Sequence, residues 1–256
     1  MKAIILAAGY ATRLYPLTET VAKPLLPLAE RPMLDYLVER LRGSDEIEQI
    51  HVVTNHKFAA AFEEWARAQD DVVVHDDGTT SEDDRLGAIG DIRFVVDRAG
   101  LESDDLLVVA GDNLFDYALD DYVRWWHGKG DGSAVVLYDV GDLELVKKYS
   151  SVEVDEHERL TAFTEKPEDP QSTLVATAAY IYHRSHVPLL RRYLDDGNAP
   201  DQPGRFLGWL VPRVPVYGYR ATGDWRDIGD AAQLLEADNH LRAQAGMPTR
   251  TAYALD

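Results

Sequence analysis

Short apolar runs alternate with amphipathic segments along the first half of the chain. Five of these runs have the length and composition of buried strands, at residues 3–6, 50–54, 72–75, 106–110 and 134–138. Between them, apolar residues recur at helical spacing, which predicts helices over residues 33–42, 58–68, 89–99 and 119–127. Strands that alternate with helices predict an α/β fold, with a Rossmann-like, mainly parallel sheet and helices on both faces.

The pattern changes in the second half of the chain. Residues 152–154 and 160–163 flank a polar turn, and residues 174–182 form a further strand, so we expect a small antiparallel addition and a mixed sheet. Helices are expected near residues 187–194, 206–211 and 231–243. Strand and helix patterns continue on both sides of the Gly- and Pro-rich segment 195–204, which is therefore a loop rather than a linker. The prediction is one domain over residues 1–256.

Composition narrows the classes of function. The chain has no cysteine, so a metal site must use oxygen or histidine ligands, and oxygen ligands favour magnesium. No stretch is apolar enough to span a membrane, so we expect a cytoplasmic protein without a membrane partner. The formal charge of −19, from 45 acidic and 26 basic residues, disfavours nucleic acid as a partner. This acidity has two open interpretations: solvated faces that arose by chance, or adaptation to high salt.

A long loop follows the first predicted strand. Small residues at positions 7, 8, 9 and 11 leave backbone N–H groups accessible to anionic oxygens. Arg13 adds a planar guanidinium suited to phosphate, and Lys23 adds a compact ammonium group. Pro16, Pro24 and Pro27 restrict the backbone of the loop. The small residues alone would suit an ordinary turn, but together with both cations they predict a phosphate-binding loop.

Two common nucleotide-binding motifs do not fit this loop. The GxxxxGK[ST] motif of ATPases is absent from the sequence. The segment that begins at Gly9 lacks the spaced glycines of the dinucleotide-binding fingerprint, and Pro16 disfavours the helix that would have to follow directly. Neither an ordinary ATPase nor an NAD-binding site is therefore expected.

The loop resembles the signature of the sugar-1-phosphate nucleotidylyltransferases, approximately GxGTRxxPxTxxxxKxxxP. The matching residues are Gly9, Thr12, Arg13, Pro16, Thr18, Lys23 and Pro27. Ala11 stands where the family usually has a second glycine, and Ala8 stands where thymidylyl-transferring members more often have glycine. The resemblance implies a nucleotide-binding set made of Leu6, Ala7, Ala8, Gly9, Thr12 and Arg13.

The resemblance also implies an organisation for the chain. Residues up to about 140 would bind the nucleotide, residues from about 141 to 228 would bind the sugar phosphate, and a C-terminal helix would extend to about residue 244. We expect the catalytic domain alone, without the hexapeptide repeats of longer relatives, and a homo-oligomer. The subfamily it is most similar to is that of the glucose-1-phosphate thymidylyltransferases.

Two aspartates are candidate metal ligands. Asp112 follows an apolar strand within Gly111-Asp112-Asn113, and Asp227 lies in Trp225-Arg226-Asp227-Ile228-Gly229. Both segments resemble family motifs whose aspartates bind magnesium, and such a cation would bridge the two substrates' phosphates. The alternative for either residue is a capping aspartate at the end of a strand or before a helix.

A third segment, Phe163-Thr164-Glu165-Lys166-Pro167, resembles the family's EKP motif, whose Glu and Lys hold the sugar and its phosphate. Ser150 stands where the family usually has a glycine that lines the sugar pocket, and Ala176 lies in a small-residue strand that would touch the sugar. The resemblance thus implies a sugar-phosphate site made of Lys23, Ser150, Glu165, Lys166 and Ala176. The alternative for Glu165 and Lys166 is an exposed ion pair before a turn.

The acidic loop after the third predicted strand occupies the place where the family reads the base, often through an amide side chain and a backbone glycine, here Gly87. Asp76 or Asp77 replaces the amide. A carboxylate accepts hydrogen bonds without donating them, so our hypothesis is that one of the two takes an imino proton from thymine, uracil or guanine. A solvated acidic loop is the alternative.

The implied reaction joins a nucleoside triphosphate to a sugar 1-phosphate with Mg²⁺, giving a nucleotide sugar and pyrophosphate. The expected pair is dTTP with glucose 1-phosphate, while UTP, or GTP with mannose 1-phosphate, stays open. A sugar 1-phosphate oxygen is already anionic, so the protein must align two polyanions and neutralise charge rather than supply a base. Arg13, Lys23 and Lys166 are expected to bind phosphates, and Asp112 with Asp227 to hold the metal. A metal-dependent glycosyltransferase, or a nucleotide-sugar-binding regulatory subunit, is the alternative.

Overall fold

The computed structural model describes residues 1–255, which contain thirteen strands. Their bounds are β1 Lys2–Leu6, β2 Pro27–Leu28, β3 Arg31–Pro32, β4 Gln49–Thr54, β5 Val72–Asp76, β6 Leu106–Ala110, β7 Asn113–Phe115, β8 Ser133–Asp139, β9 Ser150–Val154, β10 Leu160–Glu165, β11 Leu174–Tyr182, β12 Val216–Arg220 and β13 Trp225–Asp227.

The same residues contain nine α-helices. Their bounds are α1 Leu17–Thr20, α2 Met33–Arg42, α3 Ala59–Ala66, α4 Ala88–Ala99, α5 Leu119–His127, α6 Leu143–Val146, α7 Leu189–Asp195, α8 Pro203–Leu210 and α9 Ala231–Gln244. Two single-turn 3₁₀ helices, Thr12–Leu14 and Lys23–Leu25, lie in the loop after β1.

Seven strands form the central sheet in the order β12-β8-β11-β6-β1-β4-β5. The pairs β1–β4, β1–β6, β4–β5 and β8–β12 are parallel, whereas β11 runs antiparallel to both β6 and β8. The prediction of a mainly parallel, Rossmann-like sheet is therefore confirmed. Because β1, β4, β5 and β6 are parallel, the loops that follow them meet at one edge of the sheet.

Alternating side chains of the strands pack into two cores. On β1, Ala3 and Ile5 face the cluster that contains α2, α3 and α5, while Ile4 faces the cluster that contains α4, α7 and α8. Helices thus cover both faces of the sheet, as predicted. A third apolar cluster joins the N-terminal loop to α9, mainly through Leu26 and Leu234.

The antiparallel addition is confirmed as the hairpin β9–β10, whose polar turn is held by Asp155: its Oδ1 accepts hydrogen bonds from the backbone N–H groups of His157 and Arg159. Within residues 1–255, no helix combines the length and apolar character that crossing a bilayer requires.

Several elements differ from the prediction. The N-terminal segment was expected to remain a loop as far as α2, but it contains α1 and two 3₁₀ turns, because its prolines permit single helical turns. Strand β12 was not predicted, since it contains Gly218 and lacks a continuous apolar run; a side chain at Gly218 would collide with Leu137 of the neighbouring strand. The three-residue strands β7 and β13 exist through their pairing with each other.

Candidate active site

The loop after β1 is fixed by hydrogen bonds to its own backbone. The carbonyl oxygen of Ala8 accepts from the Asn55 side chain at 2.8 Å, and the carbonyl oxygen of Ala11 accepts from the Thr18 hydroxyl at 2.8 Å. Asn55 and Thr18 are both completely buried. The loop therefore keeps one conformation before a ligand arrives, which lowers the entropic cost of binding.

Gly9 and Ala11 are small residues of this loop, and a small side chain is favoured at each of them for a different structural reason. A Cβ atom at Gly9 would meet no atom within 4 Å, so the space beside this residue is open to a ligand. Ala11 has φ 48° and ψ 44°, a left-handed conformation that favours glycine. This conformation accounts for the glycine that the signature usually carries at that position.

The phosphate-binding candidates Arg13 and Lys23 are presented differently. Arg13 is exposed, and its guanidinium forms no hydrogen bond or ion pair within residues 1–255. Lys23 is buried, and its Nζ lies 2.8 Å from Asp112 Oδ2. Arg13 is therefore free to bind an anion, whereas Lys23 is held beside the first candidate metal ligand.

The segment Gly111-Asp112-Asn113 has a structural role for each residue. Gly111 passes so close to β1 that a Cβ atom would lie 2.9 Å from the Leu6 carbonyl oxygen. The Asn113 amide donates to the Thr177 carbonyl at 2.7 Å and accepts from the Trp225 indole at 3.2 Å. Asn113 thereby joins β7 to the irregular part of β11 and to β13, and Asp112 is held between them.

Asp227 is brought to Asp112 by strand pairing. Its backbone pairs with Asn113, and the next residue, Ile228, donates its N–H to the Asp112 carbonyl oxygen at 3.3 Å. Burial, followed by repulsion from Asp112, raises the pKa of Asp227 to about 6, while Lys23, Arg13 and Lys166 act in the opposite direction. The charges of the other four residues predicted to carry the chemistry thus all reach Asp227.

The two carboxylates fit a magnesium ion that completes its shell from the substrates. Among residues 1–255, no group of three or more His, Asp or Glu side chains is arranged to hold a metal, so a cage made only of protein ligands is not present. Mg²⁺ is typically bound by one or two carboxylates together with phosphate oxygens and water. Asp112 and Asp227 supply two carboxylates that repel each other, a repulsion that a divalent cation would relieve.

A cavity of about 540 Å³ extends from this charged centre along the carboxyl edge of the sheet. Of the predicted site residues, it is lined by Leu6, Ala8, Gly9, Thr12, Arg13, Lys23, Asp77, Gly87, Asp112 and Asp227. Ala7 lines a smaller adjoining cavity beside Pro24. Gly87 begins α4 with φ 79°, and a side chain there would collide with Pro200.

The structure separates the two aspartates that the sequence left as alternatives. Asp76 does not line the cavity; its carboxylate pairs with the His56 ring at 2.6 Å and accepts from the Gly78 N–H. Asp77 does line the cavity. Of the two, Asp77 is therefore the one that a ligand in this cavity could contact.

Of the predicted sugar-phosphate residues, Lys23 lines the large cavity, whereas the other four lie on or beside the β9–β10 hairpin and do not line it. The buried hydroxyl of Ser150 accepts from the Ala176 N–H at 3.0 Å and so ties β9 to β11. Glu165 lies against Gly204 at the start of α8, where burial raises its pKa. Lys166 is exposed with φ 46°, and its charge, like that of Lys23, lowers the pKa of Asp227.

Several residues that line or hold the site were not assigned from the sequence, and three of them show why. Asn55 follows β4, so its position at the carboxyl edge was the signal that would have identified it. Ala178 lines the large cavity because β11 changes register between Ala176 and Tyr180. Asp91 lies in the first turn of α4, where an acidic residue ordinarily stabilises the helix and gives no sign of a ligand.

A second cavity, of about 290 Å³, lies between α2, α5 and α9. None of the charged residues described above lines it, so it is separate from the candidate active site.

Comparison with known proteins places this site in context. The sequence model of the nucleotidyl transferase family matches residues 2–244. The chain is 30% identical over 247 residues to a UTP–glucose-1-phosphate uridylyltransferase of Synechocystis, covering 93% of this chain and 62% of that protein. It is 31% identical over 234 residues to a putative mannose-1-phosphate guanyltransferase of Sulfolobus acidocaldarius, covering 90% and 60%. The chain thus spans less than two thirds of the length of these relatives.

Two further similarities cover more of the matching protein. A glucose-1-phosphate thymidylyltransferase of Xanthomonas campestris is 29% identical over 256 residues, covering 92% of this chain and 80% of that protein. A crystal structure of a putative glucose-1-phosphate thymidylyltransferase from Bacillus anthracis superimposes with a TM-score of 0.80 and 23% identity, covering 94% of this chain and 95% of that one. The latter similarity establishes the fold.

Proposed function

The chain belongs to the nucleotidyl transferase family, and on that premise we propose that it transfers a nucleotidyl group from a nucleoside triphosphate to a sugar 1-phosphate. The observation that carries the proposal is the convergence of Lys23, Asp112 and Asp227 in the lining of the large cavity, which the unpaired guanidinium of Arg13 also lines. Two carboxylates and nearby cations suit a reaction between two phosphorylated substrates.

In the proposed reaction, an anionic oxygen of the sugar 1-phosphate forms a bond to the α-phosphorus of the nucleotide. The bond from that phosphorus to the oxygen bridging to the β-phosphate breaks, and pyrophosphate leaves. The attacking oxygen carries no proton at neutral pH, so the site needs no general base, and its work is alignment and charge neutralisation.

Each charged residue has a role in that scheme. Arg13 binds the leaving phosphates, Lys23 the phosphates at the reacting centre, and Lys166 the phosphate of the sugar. Asp112 and Asp227 would hold Mg²⁺, which when bound supplies charge neutralisation at the phosphates. Without a cation, Lys23 offsets part of the charge of Asp112 through its 2.8 Å ion pair.

For the substrates, we propose dTTP and glucose 1-phosphate as the first pair to test. Relatives at 29–31% identity carry the names of uridylyl-, guanyl- and thymidylyltransferases. Of these three, the thymidylyltransferase is the protein whose length this chain covers most completely, at 80%. UTP with glucose 1-phosphate and GTP with mannose 1-phosphate are the next pairs, and a homo-oligomer is the proposed assembly.

The test is release of pyrophosphate from a matrix of nucleoside triphosphates and sugar 1-phosphates with magnesium. Asp112→Asn should lower the turnover number about a hundredfold, because it removes one carboxylate charge from the metal site without changing its shape. Asp131→Asn, which removes an almost fully exposed carboxylate, is the matched control and should leave turnover unchanged.

The proposed function fails if no pair releases pyrophosphate. In that case binding of a nucleotide sugar, measured by calorimetry, would identify a regulatory subunit. Transfer of sugar from a nucleotide sugar to an acceptor would instead identify a glycosyltransferase. Near-normal turnover of Asp112→Asn with magnesium would remove Asp112 from the metal site.

A further inference from the structure

Two acidic side chains face each other at the part of the large cavity formed by the loop after β5 and the first turn of α4. Asp77 belongs to the loop and Asp91 to the helix, and both line the cavity. Asp91 is only 6% exposed. A carboxylate is rarely buried to this degree without a partner, because it loses its hydration.

The hydrogen bonds around the pair indicate one shared proton. Asp77 Oδ1 accepts from the backbone N–H and the hydroxyl of Thr79, both at 2.7 Å. Asp77 Oδ2 and Asp91 Oδ1 are buried and receive no bond from an N–H or hydroxyl group of residues 1–255. A proton on one of the two carboxyl groups would let them hydrogen-bond to each other.

The charges around Asp91 agree with this state. Burial, followed by the negative charge of Asp77 and the hydrogen bond to it, raises the pKa of Asp91 to about 8. Other titratable or charged groups line the cavity from neighbouring elements, namely Tyr10, Glu82, Arg85 and Asp201. Of all the charged groups that line the cavity, Asp77 is the one whose charge raises the pKa of Asp91.

The position of Asp77 and Asp91 in the cavity indicates which part of a bound nucleotide they would contact. In the proposed function the phosphates lie beside Arg13 and Lys23, on the loop after β1. The acid pair lines the same cavity from the loop after β5 and from α4, and this part of the cavity is left for the nucleoside. Asp91 lines the cavity, its Oδ1 is buried without a partner, and neither of its oxygens accepts a hydrogen bond from an N–H or hydroxyl group of residues 1–255, so the carboxyl group can accept one from a ligand.

We propose that Asp77 and Asp91 share one proton and together read the imino N–H of the nucleobase, the group that thymine, uracil and guanine have in common. This inference rests on the proposed function, and it assigns a specificity role to Asp91. The shared proton removes one negative charge from a cavity that must accept a triphosphate. It also leaves an oxygen that accepts the imino hydrogen.

The experiment is calorimetric binding without any sugar phosphate, so that it can be read even if no transfer reaction is found. The probe is whichever of dTTP, UTP or GTP binds most tightly, compared with its analogue methylated on the imino nitrogen. For the unaltered protein, methylation should weaken binding about tenfold. In Asp91→Ala, methylation should weaken binding much less, because Asp91 no longer accepts the imino hydrogen.

A pH series gives a second and independent result. Binding to the unaltered protein should weaken about tenfold as pH rises through about 8, since the pair loses its proton and gains a negative charge. The side chain in Asp91→Asn has the same shape but cannot titrate, so nucleotide binding to this variant should lack the change. Because the nucleotide ionises equally in both experiments, the variant also corrects for any effect of that ionisation. Asp97→Asn, on the exposed face of α4, is the matched control and should behave as the unaltered protein does.

Either of two results would overturn the proposal. One is an equal effect of methylation in the unaltered protein and in Asp91→Ala. The other is the same pH dependence in Asp91→Asn as in the unaltered protein. If Asp91→Ala does not fold, as judged by circular dichroism, the methylation comparison is made with Asp91→Leu, and the pH series decides alone if that variant also fails.

Discussion

At the scale of single residues, Ala11 has a conformation that its side chain disfavours. Its φ of 48° brings the Cβ atom close to the following carbonyl oxygen, a cost of about 1 kcal/mol that glycine avoids. The hydrogen bond from the buried Thr18 hydroxyl holds the residue in place despite this cost. The conformation of the loop is therefore held by contacts behind it.

This conformation predicts opposite effects for two similar substitutions. Ala11→Gly should raise the free energy of unfolding by up to about 1 kcal/mol, because it relieves the left-handed conformation. Ala8→Gly should lower the free energy of unfolding by about 0.5–1 kcal/mol. Ala8 does not have a positive φ, so glycine relieves no strain there and only increases the conformational entropy of the unfolded chain. Urea denaturation of both variants makes the comparison. Loss of stability in Ala11→Gly equal to that in Ala8→Gly would show that the loop is not strained at this residue.

The residues of the site differ in how far the sequence could identify them. Arg13, Lys23, Asp112 and Asp227 lie in segments that resemble family motifs, and this resemblance, together with their charge, marked them as candidates. Asp91 could not be found this way, because an acidic residue in the first turn of a helix has an ordinary stabilising role. Its burial depends on the packing of α4 against the loop after β5, which a single sequence does not show.

At the scale of elements, strands with continuous apolar runs were predicted to within two residues. β6 and β11 match their predicted bounds. Both strands are largely buried on the two faces of the sheet, so they consist of apolar runs whose ends can be recognised in the sequence. β12 was missed because its place beside β8, rather than its composition, makes it a strand. β7 and β13 likewise depend on each other, although together they bring Asp112 and Asp227 side by side.

The neighbouring strands β4 and β5 contain a buried pair of histidines with consequences for stability. His51 Nδ1 and His75 Nε2 lie 2.9 Å apart, so one ring donates to the other, and His51 Nε2 has no partner within residues 1–255. Burial, followed by the nearby charge of His75, lowers the pKa of His51 from 6.5 to about 4. The folded protein therefore keeps this ring neutral under conditions in which the unfolded chain takes up a proton.

The sign of the resulting pH dependence follows from linkage. Above pH 6.5 the ring is neutral in both states, so the full stability is present; as pH falls from 6.5 toward 4, only the unfolded chain gains the proton. The free energy of unfolding should drop by about 2–3 kcal/mol over this range through His51 alone. In His51→Gln the drop should be smaller by that amount, measured by urea denaturation at each pH. His157→Gln, an exposed histidine, serves as the control, and an equal drop in His51→Gln would contradict the assignment.

At the scale of the whole molecule, the sheet topology accounts for a site built from distant parts of the sequence. β1 lies between β4 and β6, so the phosphate loop, Asn55 and Asp112 all emerge at one edge. The alternation of strands and helices was enough to predict that edge. It was not enough to predict which side chains enter the cavity there, because this depends on the turn at Asp77 and on the register change in β11.

The acidity of the molecule leads to a final prediction about salt. Acidic residues outnumber basic residues by 19. Repulsion between carboxylates therefore destabilises the folded state wherever salt does not screen the charges. The screening length falls from about 10 Å at 0.1 M salt to about 3 Å at 1 M. If the acidity is an adaptation to high salt, the melting temperature should rise by several degrees between about 0.1 M and 2 M potassium chloride.

A matched variant separates charge screening from the general effect of salt on apolar surfaces. Asp45, Asp70 and Glu168 are exposed and form no ion pair within residues 1–255. Replacing them with Asn, Asn and Gln removes three negative charges without removing a contact, so this variant should melt higher than the unaltered protein at low salt and similarly at high salt. Because salt strengthens apolar burial equally in both proteins, the part of the increase that the variant loses is due to repulsion between carboxylates. Equal increases in the two proteins would instead favour the interpretation of the acidic residues as solvated faces without a role in salt adaptation.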